Sequence, residues 1–205
     1  LPATHPHKIA LPSFGGAQTI SFDPLGNKSI LDSSFELNAS ASSGLPVVYA
    51  SSNSAVATVS GSTVTIVGVG VTTITVSQSG NSVYLAATDV TQNLTVTKVA
   101  QTINFAAIPN QLLSTGTYVL EANATSGLGL TFVSDNSAVA TIAGNVVTLL
   151  SGGNAQITAM QGGNSSYLAA TDVTQTLTVQ DPNNPPYALN ATAPLTIAEN
   201  QPIGT

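Results

Sequence analysis

The sequence predicts an all-β protein made of two tandem β-sandwich modules, and three observations lead to that prediction. The stretch from Gly80 to Val96 recurs almost unchanged from Gly163 to Val179, so the same unit returns 83 positions later. A fixed repeat of this length indicates one structural module per copy. Short segments alternate between apolar and polar residues, as half-buried strands do. No segment carries the apolar stripe of an amphipathic helix.

The repeat divides the chain into segments. An extended leader is predicted over residues 1–17, the first module over 18–98 and the second over 101–181, with residues 99–100 between the modules. Residues 182–205 are predicted as a proline-rich linker followed by a single strand. Because that strand has no hairpin partner left in the chain, it is an orphan strand at the C-terminal end.

The strands of the first module are short, rich in β-branched residues and bounded by Ser-Gly, Ser-Asn or Gly-x-Gly turns. Seven such strands in about 80 residues favour a sandwich over a closed barrel. The expected strands are 19–22, 34–39, 45–50, 56–59, 63–67, 71–78 and 90–97, and the second module repeats them 83 positions later.

The alternation also predicts which side chains face inward. Inward positions keep their bulk between the copies, as where Ile66 becomes Leu149, whereas outward positions change chemistry, as where Thr73 becomes Gln156. This difference supports the facing assignment. The predicted core of the first module is Ile20, Phe22, Leu37, Tyr49, Ile66, Ile74, Leu94 and Val96, and the second core consists of their counterparts.

Composition excludes several classes of function. Charged residues make up 6% of the chain, the formal net charge is −6, and there is no arginine. Nucleic acids and anionic membrane surfaces are bound through clustered Lys and Arg, and the three lysines here are scattered. No apolar run approaches the ~20 residues of a membrane helix. Neither a nucleic-acid partner nor membrane insertion is expected.

No catalytic constellation can be assembled from the sequence. Both histidines lie in the leader, cysteine is absent, and no glycine-rich loop leads into a helix. A serine or threonine in either module therefore has no histidine base within its own module. We expect a protein that is not an enzyme and has no catalytic residues.

The repeated tyrosine motif is the candidate ligand site. Tyr84 and Tyr167 each follow an asparagine by three positions, Asn81 and Asn164. An aromatic face beside amides suits a hydroxyl-rich ligand, which predicts a sugar site at these four residues. The alternative is structural, with each tyrosine closing one end of its sandwich, as partly buried tyrosines do.

The segment from Ser43 to Ala87 carries a recognisable pattern. It contains a Ser-Gly-Leu-Pro turn, a Ser-x-Asn-x-Ala-Val-Ala segment, a Gly-x-Gly turn and a Gln-x-Gly-Asn-x-x-Tyr motif, and most of it recurs over 126–170. The pattern resembles the bacterial Ig-like (Big-type) repeats of large surface and secreted proteins. The resemblance implies Ig-like β-sandwiches, an extracellular or cell-surface location and a structural or adhesive role.

The C-terminal segment from Asp181 to Thr205 resembles the linker and first strand of a cadherin-like repeat. In that family, acidic and amide side chains at such a junction bind calcium. The resemblance implies a calcium site formed by Asp181, Asn183 and Glu199. No other cofactor is expected.

The leading functional hypothesis is a non-catalytic stalk or adhesin segment of a bacterial surface or secreted protein. The expected partners are neighbouring repeats or identical subunits, and a surface polysaccharide or protein receptor. A second hypothesis is a subunit of a self-assembling extracellular fibre or surface layer. Its subunits would be joined by strand complementation through Leu195, Ile197 and Ile203, because an unpaired apolar strand is a template for pairing. Carbohydrate binding at the tyrosine motif ranks third.

Overall fold

The structure is a computed structural model that describes residues 15–182. The described chain is built from β-strands, with one 3₁₀ turn at Leu113–Thr115. It divides into two compact units after Gln101, and the segment Gly162–Ala169 groups with the first unit. Residues 1–14 and 183–205 lie outside the described residues, and with them most of the predicted leader and the whole predicted orphan strand.

The described part of the first unit contains nine strands. The two long strands come from the segments with the strongest alternation, and they pair in an antiparallel ladder that runs from Gly70↔Val96 to Val76↔Val90. The strands are β1 Ile20–Phe22, β2 Lys28–Ser29, β3 Phe35–Glu36, β4 Ala39–Ala41, β5 Val48–Ser51, β6 Ala57–Ser60, β7 Thr63–Ile66, β8 Gly70–Ser77 and β9 Val90–Thr97.

These strands form two layers. One sheet has the order β2-β9-β8-β5, and the other layer consists of β1-β4 and β3-β7-β6. The pieces β3 and β4 belong to one stretch of chain that is interrupted at Leu37 and Asn38, and Leu37 N still donates to Ser62 O at 2.8 Å beyond the end of β3. This is the strand arrangement of an Ig-like sandwich, so the predicted fold class is confirmed.

The second unit repeats the same order. Its sheets are β11-β18-β17-β14 and β12-β16-β15, with the pair β10-β13. The strands are β10 Ile103–Phe105, β11 Gln111–Leu112, β12 Thr117–Val119, β13 Ala122–Ala124, β14 Thr131–Ser134, β15 Ala140–Ala143, β16 Val146–Leu149, β17 Gly153–Met160 and β18 Val173–Gln180.

Each unit has its own hydrophobic core, and the predicted core residues are confirmed in both. Ile74 and Leu94 in the first core and Ile157 and Leu177 in the second are fully buried. Tyr49 and its counterpart Phe132 are partly buried and pack against the edge of their cores. The remaining predicted positions all belong to the same two clusters.

The structure differs from the predicted strands in two ways. The strand expected over 34–39 is split into β3 and β4, because Leu37 and Asn38 leave the regular ladder. The sequence reasoning also missed β2 and β11, which have two residues each. A two-residue strand carries no alternation, so its pairing is decided by the strand beside it.

Candidate functional site

The tyrosine loop of the first unit is organised by Asn81. Its side-chain Oδ1 accepts hydrogen bonds from Val83 N at 2.8 Å and from Tyr84 N at 2.9 Å. Its backbone N donates to Tyr84 O at 2.8 Å. An asparagine that bonds the backbone two and three residues ahead stabilises a tight turn. The amide oxygen of Asn81 is thus engaged in the loop itself.

Glycine is required immediately before that asparagine. Gly80 has φ +76°, and a Cβ added there would lie 2.7 Å from the carbonyl carbon of Leu85. Gly163 has φ +75° and the same backbone approach, 2.7 Å from the carbonyl carbon of Leu168. The Gly-Asn pair at the start of both motifs is therefore explained by loop geometry.

The residues that precede the module hold Tyr84 from the other side. Gly16 N donates to Val83 O at 2.7 Å, and Leu85 N donates to Gly16 O at 3.0 Å, which makes a short parallel bridge. The tyrosine ring lies against Gly16, where an added Cβ would be 3.4 Å from Cδ1 of Tyr84. The ring is partly buried as a result.

A buried amide cluster lies beneath this loop. Gln18 Nε2 donates to Leu85 O at 2.6 Å and to Gln78 Oε1 at 2.7 Å, and Ser43 Oγ donates to Gln18 Oε1 at 2.5 Å. Gln78 Nε2 donates to Pro46 O at 3.3 Å, and Gln78 Oε1 also accepts from Gly80 N. Gln18 and Gln78 are both buried. We name Gln18, Ser43 and Gln78 the glutamine latch.

The latch joins the first strand, the turn before β5 and the tyrosine loop. Sequence reasoning missed it, although a signal was present. Gln18 and Gln78 recur as Gln101 and Gln161, and Ser43 recurs as Ser126. Polar residues that stay identical at positions flanking the core strands indicate buried polar partners.

The second tyrosine loop repeats the geometry. Asn164 Oδ1 accepts from Ser166 N at 2.8 Å and from Tyr167 N at 2.9 Å. Val99 takes the place of Gly16, with Val99 N donating to Ser166 O and Leu168 N donating to Val99 O, both at 2.9 Å. Gln101 Nε2 donates to Leu168 O at 2.7 Å. All of these residues belong to the first unit.

The four residues predicted to bind sugar therefore lie in two loops of the same construction. In each loop the asparagine oxygen accepts two backbone bonds, and the tyrosine ring is half-buried. The exposed side chains of the first loop include the apolar Val83 at 59% and Leu85 at 55% exposure, beside the polar Asn81 and Ser82. The sugar site stays a prediction.

The predicted calcium ligands lie mostly outside the described residues. Asp181 is described, whereas Asn183 and Glu199 are not. Within residues 15–182, no group of three or more His, Cys, Asp or Glu side chains is placed to hold a metal ion. The calcium site stays a prediction. The assembly residues Leu195, Ile197 and Ile203 also lie outside the described part.

The carboxyl group of Glu36 has a lowered pKa. Hydrogen bonds from the side chains of Ser62 and Thr63 lower the pKa of Glu36, which is exposed at the end of β3. The Thr63 Oγ1 to Glu36 Oε1 distance is 2.6 Å. This cluster ties β3 to the β6–β7 turn.

Open grooves on the surface of the second unit include the following two. One has a volume of about 660 Å³ and lies beside Phe105, Glu121 and Val173. The other, about 570 Å³, lies between Leu112, Gly152 and Asp181. Neither groove contains a residue of the predicted sugar site. Within the described residues, no helix is long and apolar enough to cross a membrane.

Comparisons with known proteins give structural likenesses at low identity. A Drosophila N-cadherin structure, EC1-4, is 11% identical with a TM-score of 0.36, over 81% of this chain and 50% of that one. Surface layer protein SbsC, domains 1-6, is 14% identical with a TM-score of 0.37, over 80% of this chain and 27% of that one. The D00-D0 domain of intimin is 14% identical with a TM-score of 0.31, over 77% of this chain and 98% of that one.

This chain thus spans half or less of the N-cadherin and SbsC chains. No protein-family model matches the sequence. No curated protein matches it either. The assignment of an Ig-like fold rests on the strand topology of the two units.

Proposed function

We propose that this chain is a non-catalytic, extracellular structural or adhesive segment of a bacterial surface or secreted protein. The observation that carries the proposal is the repetition of one complete sandwich, each copy with its own buried core. A module that folds around its own core and recurs in tandem adds length without adding a reaction centre. The resemblance to bacterial Ig-like repeats supports the same function.

The use of polar side chains also supports a structural function. The buried glutamines of the latch and the buried Thr72 form hydrogen bonds with loops and strand ends. No buried side-chain nitrogen or oxygen in residues 15–182 is without a hydrogen-bond partner. The interior polar groups thus hold the fold together.

Labelling of intact cells tests the location. Antibodies raised against residues 15–182 are expected to stain unpermeabilised cells of the source organism, and external protease is expected to remove the signal. Permeabilised cells and a cytoplasmic marker protein serve as controls. Staining that appears only after permeabilisation contradicts the extracellular location.

A domain replacement separates a stalk from an adhesin. In the native protein, both repeats are replaced by two unrelated β-sandwich domains of equal length. A stalk segment is expected to retain adhesion after the replacement, whereas an adhesive segment loses it. A matched deletion of both repeats controls for length. Unchanged adhesion and surface display in both variants would contradict either function.

A second candidate function, self-assembly by strand addition, is supported by an open sheet edge. In the described chain β5 and β14 each end their sheet, and neither contains a charged residue. Ser52 N donates to Thr73 O at 3.0 Å, so the alternation of an antiparallel ladder turns the backbone groups of Tyr49 and Ser51 away from β8. Uncharged edges with outward amides accept an added strand.

The donor in this candidate function is the predicted orphan strand. Light scattering of the full chain at rising concentration is expected to show assembly, and deletion of residues 191–205 is expected to abolish it. A variant with Leu195 and Ile197 changed to serine controls for the loss of chain length. Equal assembly of the full and shortened chains contradicts strand addition.

A further inference from the structure

In the larger sheet of each repeat, the strand that comes first along the chain pairs in parallel with the strand that comes last. In the first unit β2 pairs with β9 through Lys28↔Val96 and Ser29↔Thr97. In the second unit β11 pairs with β18 through Gln111↔Val179 and Leu112↔Gln180. The other strand pairs within the described sheets are antiparallel. We name β2–β9 and β11–β18 the parallel pairs.

Further hydrogen bonds strengthen the first parallel pair. Ile30 N donates to Thr97 O at 2.9 Å, which extends the pairing beyond the end of β2. Thr97 Oγ1 donates to Lys28 O at 3.4 Å. The ammonium of Lys28 lies 4.6 Å from the ring centroid of Phe35, which is a cation–π distance.

A second link joins the same two parts of the chain. Gln92 Nε2 on β9 donates to Phe22 O at 3.1 Å, at the point where the chain leaves β1 and crosses to β2. In the second unit Gln175 Nε2 on β18 donates to Phe105 O at 2.9 Å. The last strand of each repeat is thus hydrogen-bonded both to the end of the first strand, β1 or β10, and to the short parallel strand that follows it, β2 or β11.

This connectivity determines how the repeat responds to tension. In the first repeat, tension pulls the entering chain backward through β1, which pairs with β4, and through β2. It pulls the leaving chain forward from β9. Because the two strands are parallel, opposite pulls slide them along each other. The hydrogen bonds between them are then loaded together. In an antiparallel hairpin pulled from its two open ends, the bonds would break one after another.

We infer that each repeat is a load-bearing unit in which the parallel pair, with the Gln92 or Gln175 link, resists extension. This inference deepens the proposed stalk function and depends on it for its biological use. Forced unfolding is governed by the rate of unfolding. Interactions that cross the loaded strands therefore affect that rate more than interactions elsewhere on the surface.

Pulling direction is the first test, in single-molecule force experiments on the full chain. The chain has no cysteine, so introduced thiols provide unique attachment points. Attachment through Ala17→Cys and Lys98→Cys applies tension through β1 and loads β2–β9 in shear. Attachment through Leu31→Cys and Lys98→Cys places both points at the same end of the parallel pair, so its bonds unzip singly. We expect a clearly higher unfolding force in the first geometry, and equal forces overturn the inference.

Two substitutions with a matched control form the second test, in the shear geometry. Gln92→Leu keeps the size of the side chain and removes the bond to Phe22 O, and Ile30→Pro removes the bond to Thr97 O. We expect each to raise the unfolding rate at constant force about fivefold or more, as for the loss of one net hydrogen bond. Asn93→Leu, at the neighbouring outward position, removes only the bond that Asn93 Oδ1 accepts from Thr73 Oγ1 and is expected to leave the rate unchanged.

The outcomes separate this inference from the proposed function. An unchanged rate in Gln92→Leu, or equal increases in Gln92→Leu and Asn93→Leu, overturns the load-bearing assignment even where Ile30→Pro fails to fold. Surface labelling of cells, by contrast, does not depend on unfolding forces. A chain found only inside cells overturns the surface function and leaves the mechanical result standing.

Discussion

The two repeats have the same architecture but carry different side chains at one buried position. In the first repeat Thr72 is buried, and its Oγ1 lies 2.8 Å from Ser51 Oγ and accepts from Asn53 N at 3.0 Å. The counterpart in the second repeat is Ala155, which is 2% exposed. In the second repeat Asn136 N donates to Ser134 Oγ at 3.3 Å, so a serine accepts this bond where the methyl group of Ala155 replaces the hydroxyl.

The aromatic pair in each core shows the same exchange. Tyr49 packs edge-to-face on Phe22 with centroids 6.1 Å apart, and its hydroxyl accepts from Ala39 N at 2.9 Å. Phe132 packs on Phe105 at 5.6 Å in the same orientation, without a hydroxyl. Aromatic packing is common to both repeats, and the polar contact belongs to the first. At these two positions the first repeat thus has a polar contact that the second repeat lacks.

The largest expected effect tests whether the two cores are equivalent. Ile74→Ala and Ile157→Ala each remove a fully buried side chain, so each is expected to lower the free energy of unfolding of its own repeat by about 2–5 kcal/mol. Hydrogen exchange with mass spectrometry on the full chain reports each repeat separately. Val48→Ala, at a position 65% exposed, is the control. A large loss in one repeat alone would show that the cores differ.

The next effect concerns the glutamine latch. Gln18→Leu removes the donor to Leu85 O and Gln78 Oε1 and leaves buried acceptors without that partner. We expect destabilisation of the first repeat by about 1–3 kcal/mol. Exchange of the amides around Tyr84 should rise most. Gln92→Leu, a change of the same chemistry on β9, is the control, and faster exchange at that loop in both variants would contradict a local role for the latch.

A smaller loss of stability is expected from a substitution of Thr72, where the two repeats differ. Thr72→Val keeps the shape and removes the acceptor for Asn53 N, so the first repeat should lose about 1–2 kcal/mol. Thr73→Val at the neighbouring outward position should cost less than about 0.5 kcal/mol. Denaturant unfolding followed by residue-level exchange measures both. If Thr72→Val is as stable as the original chain, the hydroxyl contributes nothing net.

The smallest effect is a pH dependence confined to the first repeat. Hydrogen bonds from Ser62 and Thr63 lower the pKa of Glu36 in the folded state from a usual value of 4.5. A depressed folded-state pKa means that the stabilisation is present above the unfolded-state pKa and is lost as the pH falls through the folded-state value. The counterpart in the second repeat is Val119, which does not titrate.

Urea unfolding across this acidic range checks the dependence on Glu36. Glu36→Gln should remove a small acid-sensitive part of the stability of the first repeat and leave the second repeat unaffected. The effect is small because the carboxylate is exposed to solvent. An identical acid response in the original chain and in the variant would assign the response to other carboxylates.

The sequence by itself determined the tandem repeat, the all-β class of the fold and the residues of each core. The alternation around Ile74 and Leu94 marks their inward face because a strand turns successive side chains to opposite sides. The Gly-Asn pair before each tyrosine indicates a tight turn for an equally local reason, the positive φ of Gly80. Signals of this kind depend on neighbours along the chain, and a single sequence displays them.

Only the tertiary structure decided how distant segments meet. The latch joins Gln18 to Gln78 across 60 positions, and the Gln92 link reaches Phe22 across 70. The two-residue strands β2 and β11 pair with strands at the far end of their repeats. A two-residue strand is too short to show an alternating pattern. A glutamine that faces water and a glutamine that bonds a buried carbonyl also look the same in the sequence. Those choices depend on which donors and acceptors the closed sandwich leaves to be satisfied.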